Sequence, residues 1–250
     1  MKNPFEYGGV VSGNAFCNRE KEVTDLLRAM ENNEKLFVFS ERRYGKTSLV
    51  RTALGKLPKK GCVCAYVDLW PTDSEGTFVT AAAKAIAEST STSVDKVLET
   101  AKRFFGSLAP SVAMNEEGKP VLTFGISKHA KLGPALDEVL ETPAKIAAKG
   151  KLNLVVVFDE FQQILEYGND QVERKLRSVI QNHRHVGYTF LGSRKHPRKC
   201  SWIAPVPSIG RVGIIRLGQS RRSTGSRSSA NGSPTPTRSS ARNASMTCAS

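Results

Sequence analysis

The segment FSERRYGKTSLV, residues 39–50, contains residue types that bind the phosphates of a nucleotide. Gly45 lets the backbone approach an anion, Lys46 reaches toward the β- and γ-phosphates, and the hydroxyl of Thr47 is a ligand for Mg²⁺. A complete Walker A motif begins with glycine, but the corresponding residue here is Ser40. Because Gly-Lys-Thr also occurs by chance, this segment alone does not establish a phosphate site.

Two adjacent acids, Asp159 and Glu160, end the most apolar segment of the chain, LNLVVVFDEF at 152–161. A run that is apolar on both faces predicts a central parallel strand covered by helices. Such a strand delivers its last residues to the carboxyl edge of the sheet, where ligands bind. There Asp159 is predicted to hold Mg²⁺ and Glu160 to orient or polarise an attacking water. The alternative is two solvated acids at the end of a strand.

The elements that must position these residues alternate along the chain. Strands are predicted at 35–39, 62–70, 120–126, 152–161 and 187–191, and helices at 17–33, 46–57, 76–88, 93–105, 134–148 and 172–182. The remainder of 108–131 is less regular. The alternation predicts an α/β fold, a parallel sheet with helices on both faces. It also places the Gly-Lys-Thr segment at a helix N-terminus, where free N–H groups and the positive helix pole attract an anion.

The net charge of +14 is distributed unevenly. Residues 197–250 contain nine Lys or Arg and no Asp or Glu, so most of the excess lies in these last 54 residues. The longest apolar run, 152–158, is too short to span a bilayer, and the N-terminus lacks the apolar stretch of a secretory signal. The five cysteines form neither a CxxC pair nor an even set. These features predict a cytoplasmic protein without a membrane partner.

Taken in order, the motifs resemble those of prokaryotic P-loop ATPases of the AAA+/STAND type. The similar segments are NPFEYG, FCNREKEV, SERRYGKTSLV, VVVFDEFQQI, LRSVIQNH and YTFLGSRKH, within residues 3–196. In these proteins an Arg-Arg-x-Gly-Lys-Thr-Ser loop replaces the glycine-rich one. The resemblance implies an ASCE core at 1–196 that binds ATP and Mg²⁺, followed by a helical or winged-helix lid. Relatives of this class often assemble, which implies a homo-oligomer or a protein partner.

The resemblance also implies a role for each matching residue. Asp159 and Glu160 correspond to Walker B, with Asp159 and Thr47 at the metal, Glu160 and Lys46 in catalysis, and Ser193 as a polar group like sensor 1. Phe16 and Arg19 are placed near the adenine. The residues expected to line the phosphates are Ser40, Arg42, Arg43, Tyr44, Gly45, Lys46, Thr47 and Ser48.

Two residues of the loop depart from the usual pattern. Ser40 replaces a glycine, so strain is expected if this position requires a positive φ. Glu41 adds a carboxylate near anionic phosphates, which Arg42 and Arg43 are expected to offset. Alternatively, the two arginines belong to a solvated basic turn.

The segment 197–250, rich in Ser, Arg, Pro and Gly, does not resemble a lid. One interpretation is a disordered basic tail, since this composition buries too little apolar surface to fold. The other is a shifted reading frame. Codons permitted from Pro197 onward also allow EKMFLDRARPLYRSGGHYPLGP, which is similar to what the family carries after its GS(K/R)xH segment. Under either interpretation the lid is missing.

Three functions follow from these alternatives. The first is an ATP-binding P-loop ATPase for which hydrolysis is plausible, although loss of the lid can impair it. The second is a nucleic-acid-binding protein that uses the basic residues of 197–250, with strongly salt-dependent affinity. The third is a non-functional product of a damaged gene. The sequence does not indicate which process ATP would drive.

Overall fold

The structure is a computed structural model, and it describes residues 19–41, 44–57, 61–91, 93–127, 130–193 and 212–216. Three of the predicted site residues, Phe16, Arg42 and Arg43, lie outside these ranges.

Six α-helices and seven strands make up the described ranges. The helices are α1 (Glu20–Glu31), α2 (Lys46–Leu54), α3 (Glu75–Glu88), α4 (Val94–Phe104), α5 (Leu132–Gly150) and α6 (Gln171–Ile180). The strands are β1 (Lys35–Ser40), β2 (Cys62–Asp68), β3 (Leu108–Met114), β4 (Pro120–Ile126), β5 (Asn153–Asp159), β6 (Val186–Ser193) and β7 (Val212–Arg216). A 3-10 helix (Phe161–Glu166) follows β5.

Five of the strands form one parallel sheet in the order β2-β5-β6-β1-β7. One strand, β6, therefore separates β1, which leads into the phosphate loop, from β5, which carries the two acids. All of these strands point the same way, so their last residues meet at one edge of the sheet. Ser40 lies opposite Ser193, and Asp159 lies opposite Asp68.

Helices cover both faces of the sheet, as the apolar runs predict. Along β5, Leu154, Val156 and Phe158 pack in the larger core with residues of α3, α4, α5 and α6. The intervening Val155 and Val157 pack against α1 and α2. Because side chains alternate along a strand, Asp159 projects to the same face as Val155 and Val157. This is the face that α2 and the phosphate loop occupy.

Two strands of the structure are absent from the predicted elements. The segment expected to be irregular contains β3, which pairs with β4 as an antiparallel hairpin. Pro110 and the small residues of LAPSVAM obscure the alternation of an exposed hairpin strand. The second difference is β7, which lies in the segment 197–250 yet pairs in parallel with β1. These five residues are therefore paired with β1, while the two interpretations of 197–250 and the division at residue 196 stay predictions.

None of the helices in the described ranges combines the length and the apolar character needed to cross a membrane.

Candidate functional site

The phosphate loop connects the end of β1 to the first turn of α2. Gly45 occupies the N-cap position of α2 with φ 68° and ψ 28°, a left-handed conformation that glycine adopts without strain. The side chain of Lys46 is buried and turns back over the loop, where its Nζ donates to the carbonyl of Glu41 at 3.1 Å and to that of Ser40 at 3.5 Å. The ammonium group thus lies inside the loop, held by two neutral acceptors that an anion can replace.

Ser40 is fully buried at the end of β1. In the described ranges, residues other than glycine with positive φ are Asn33, Lys151 and Glu160. The strain expected at Ser40 is therefore absent, and that expectation is wrong. The residue continues the extended conformation of β1, and its hydroxyl donates to the carbonyl of Glu41 at 3.0 Å. The left-handed turn is made five residues later, at Gly45.

Arg19 contacts the phosphate loop from the start of α1. Its Nη1 donates to the carbonyl of Tyr44 at 2.7 Å, and its Nε forms an ion pair with Glu22. A methyl group added at Gly45 would lie 3.4 Å from the same Nη1. The structure thus places Arg19 against the backbone of the loop, a contact that the resemblance does not indicate.

The carboxylate of Asp159 is buried and joins three elements. Its Oδ2 accepts from the Thr47 hydroxyl of α2 at 2.9 Å and from the Tyr66 hydroxyl of β2. Its Oδ1 accepts from the backbone N–H of Glu160 at 2.8 Å. Burial, together with the bond to Asp159, raises the pKa of Tyr66, so its phenol stays protonated and donates. The guanidinium of Arg51 lies over the Tyr66 ring, 4.9 Å from its centre.

Glu160 has a different environment although it is the next residue. Its backbone is left-handed, with φ 51° and ψ 43°, and this turn ends β5 and begins the 3-10 helix. Its Oε2 accepts from the side-chain amide of Gln162. The oxygen of the same amide accepts from the backbone N–H of Ser193 at 3.2 Å. One glutamine therefore connects Glu160 to the end of β6.

Most of the predicted site residues that the structure describes lie at one edge of the sheet. Thr47 and Asp159 are in direct contact, Ser40 and Ser193 are neighbours in register, and Lys46 contacts Ser40. Tyr44 and Gly45 form the loop between β1 and α2, and Ser48 is buried in the first turn of α2. The predicted roles of these residues remain proposals, which their positions support.

Sequence reasoning missed two residues of this network. Tyr66 lies two residues before the end of β2, and its contact with Asp159 depends on β2 being the neighbour of β5. The order of strands in the sheet cannot be predicted from a local sequence pattern. Gln162 comes two residues after Glu160, in the segment DEFQ at 159–162. A neutral amide so close to the two acids was the only sequence feature that indicated a role for it.

The fold and site together define a class. A parallel sheet with an extra strand between the phosphate-loop strand and the acid-bearing strand is the arrangement of an ASCE P-loop core, and the domain is an ATP-binding P-loop ATPase domain. More particularly, residues 16–190 match the sequence model of a protein family described as an ATPase domain predominantly from Archaea. The chain belongs to that family. No curated protein sequence matches this chain.

One solved structure supports the fold. The chain is similar to the Walker-type ATPase PABY2304 of Pyrococcus abyssi, at 16% identity and a TM-score of 0.52 over 86% of this chain. It spans 57% of that protein's length. Lower scores of 0.49 and 0.47 relate it to two Aeropyrum pernix proteins, ORC1 in complex with DNA (12% identity, 80% of this chain, 45% of that one) and ORC2 with ADPNP and ADP (16%, 81% and 48%).

Proposed function

We propose that this domain hydrolyses ATP in a Mg²⁺-dependent reaction. The observation that carries the proposal is the buried carboxylate of Asp159, which bonds to the Thr47 hydroxyl of the phosphate loop and is followed by Glu160. A metal ligand and a general base are the two functions that phosphoryl transfer to water requires beside a phosphate site. The comparisons favour this function over nucleic-acid binding by residues 197–250.

The residues at this position are suitable for magnesium. The Thr47 hydroxyl and the Asp159 carboxylate are hard oxygen donors whose nearest atoms are 2.9 Å apart. We propose that Thr47 and Asp159 would hold the ion. When bound there, Mg²⁺ would supply positive charge beside the β- and γ-phosphates.

The remaining residues act on ATP and on water. Lys46 exchanges the carbonyls of Ser40 and Glu41 for phosphate oxygens, a bond between opposite charges that is stronger than those it replaces. The N–H groups of the loop and of the first turn of α2, from Tyr44 to Ser48, bind phosphate oxygens. Arg42 and Arg43 are proposed to add positive charge to the same loop. Glu160 accepts a proton from the attacking water, and Ser193 offers a polar group beside it.

The proposal predicts that Glu160→Gln retains affinity for Mg-ATP but loses about 10²- to 10⁴-fold in kcat, because the amide cannot accept the proton of the water. Phosphate release measures turnover, and displacement of a fluorescent ATP analogue measures binding. Glu166→Gln is the matched control, an exposed acid at the end of the same 3-10 helix. Equal turnover in Glu160→Gln and the unmutated chain would refute the proposed role of Glu160.

Further proposals concern the surroundings of the domain. A homo-oligomer or a protein partner follows from the AAA+ class, and light scattering with and without Mg-ATP tests self-association. A cytoplasmic location stays a prediction, as does the absence of a lid in 197–250. Resequencing the gene around the His196 codon decides between the two interpretations of that segment.

A further inference from the structure

Gln162 bonds both to Glu160 and to the end of β6. The backbone N–H of Ser193 can only donate, so the oxygen of the Gln162 amide must face it. The NH₂ group of the amide then faces Glu160, where a carboxylate oxygen can only accept. Both ends of the amide therefore have a partner of the correct polarity, and its orientation is determined by chemistry.

The backbone that carries Gln162 is held by the core. Phe161, the preceding residue, is only 3% exposed. Its ring lies 4.6 Å from that of Phe190 on β6 and meets that of Phe37 on β1 edge-on at 6.0 Å, between centres. The start of the 3-10 helix is thus packed against β1, which leads into the phosphate loop, and against β6, which ends at Ser193. Gln162 extends from a fixed point, which limits the positions its amide can reach.

The bond between Gln162 and Ser193 connects to the phosphate loop through the neighbouring strand β1. Ser193 pairs in register with Ser40, and the carbonyl of Ser40 accepts from Lys46. Glu160 is therefore connected through one side chain to the strand beside the phosphate-binding lysine. Its own backbone is in the left-handed region, which is unfavourable for an L-residue and needs support from its surroundings.

We propose that Gln162 is a positioning residue that aims the carboxylate of Glu160 at the attacking water by tying it to the end of β6. This inference rests on the proposed hydrolysis of ATP. The amide is suited to this role because it is neutral and does not titrate, so it orients the carboxylate without transferring a proton to it. It engages Oε2 and leaves Oε1 to accept from water.

The test compares Gln162→Ala with Gln163→Ala, the neighbouring glutamine of the same 3-10 helix. In Gln162→Ala, kcat falls by about 10- to 100-fold, the loss expected when a reacting group is misplaced by about 1 Å. The KM for ATP and the affinity for Mg-ATP stay within about threefold, while Gln163→Ala matches the unmutated chain. In a Glu160→Gln background, Gln162→Ala adds no further loss, because Gln162 acts through Glu160.

A second readout does not depend on turnover. Hydrogen exchange of the Ser193 amide becomes faster in Gln162→Ala than in Gln163→Ala, since its acceptor has been removed. Unchanged exchange would contradict the bond itself.

The possible results are distinguishable. If the unmutated chain hydrolyses ATP and Glu160→Gln does not, but Gln162→Ala has normal or higher kcat, positioning by Gln162 is wrong and the proposed function stands. A loss of Mg-ATP affinity as large as the loss of kcat also overturns it, because it indicates general damage to the loop. If the unmutated chain has no turnover that Glu160→Gln removes, the proposed function fails and this inference fails with it.

Discussion

Buried polar residues lie at both the carboxyl edge of the parallel sheet, where the strands end, and the amino edge, where they begin. The hydrogen-bond partners of these residues differ between the two edges. At the carboxyl edge, Lys46, Thr47 and Asp159 bond to one another or to loop carbonyls beside the helix N-terminus. Their partners are groups that a phosphate or a cation can replace. These polar residues therefore form a site with bonds available for exchange.

At the amino edge the polar residues bond to one another and to a backbone carbonyl. His183 is buried, and its Nδ1 lies 2.7 Å from the hydroxyl of Tyr188, while its Nε2 lies 3.4 Å from Glu141. Lys35, the first residue of β1, donates to the carbonyl of His183 at 2.8 Å. In the part of the chain that the structure describes, α1, α5 and α6 end just before β1, β5 and β6, so these helices present their C-termini to this edge. A cluster of a lysine, a tyrosine and an acid thus indicates a binding site only where the backbone also offers unpaired donors.

The largest contrast is expected between two lysines at opposite edges of the sheet, Lys46 at the start of α2 and Lys35 at the start of β1. Lys46→Ala abolishes stabilisation by Mg-ATP, because no other described side chain supplies an ammonium group inside the loop. With the intact chain, ATP at about 100 times its Kd should raise the melting temperature by roughly 5–10 °C. Thermal melting with and without Mg-ATP measures both values.

Lys35→Ala is the matched change at the amino edge. It lowers the melting temperature without ligand, since the carbonyl of His183 loses its donor. The increase caused by Mg-ATP is unchanged. A normal nucleotide response in Lys46→Ala, or its loss in Lys35→Ala, would remove the distinction between the two edges.

A smaller contrast is expected between two tyrosines. Tyr66→Phe removes a donor to Asp159 and raises the Mg²⁺ concentration needed for ATP binding by about 10- to 100-fold, the usual cost of losing a group that orients a metal ligand. Tyr188→Phe leaves this concentration unchanged. It destabilises the fold instead by about 1–3 kcal/mol, because buried His183 loses a partner. Magnesium titrations at fixed ATP and urea unfolding separate the two effects, and an unaltered magnesium requirement in Tyr66→Phe would rule out its proposed contribution.

The smallest expected effect is the pH dependence of the amino edge. Burial lowers the pKa of His183 below its ordinary value of 6.5, nearby Lys35 acts in the same direction, and Glu141 partly offsets them. The unfolded chain therefore takes up this proton at higher pH than the folded chain, so the contribution of His183 is complete above pH 6.5 and declines as the pH falls below it. Urea unfolding from pH 8 to 5.5 should show this decline, and His183→Gln should reduce it. An equal pH dependence in that variant would exclude His183 as the cause.

Local sequence patterns were sufficient to predict an element where a single physical requirement, such as burial on both faces, decides its residue types. The strand at 153–159 must be apolar on both faces because helices cover both, and this requirement is visible in NLVVVFD without knowing its neighbours. The 3-10 helix after Glu160 was not predicted, because its short turns have no clear periodicity. Strand β3 was missed since an exposed hairpin strand needs little apolar alternation, and β7 because only pairing with β1 reveals it.

The sequence by itself determined the order of the elements and the identity of the loop, since a phosphate site needs Gly45, Lys46 and Thr47 consecutively at a helix N-terminus. It also indicated that Asp159 and Glu160 lie at the carboxyl edge. Only the tertiary structure decided which residues orient those acids. Tyr66 meets Asp159 because β2 adjoins β5, and Gln162 meets Ser193 because β6 lies on the other side. The order of strands in a sheet arises from packing of the whole chain, so it cannot be predicted from any one segment of the sequence.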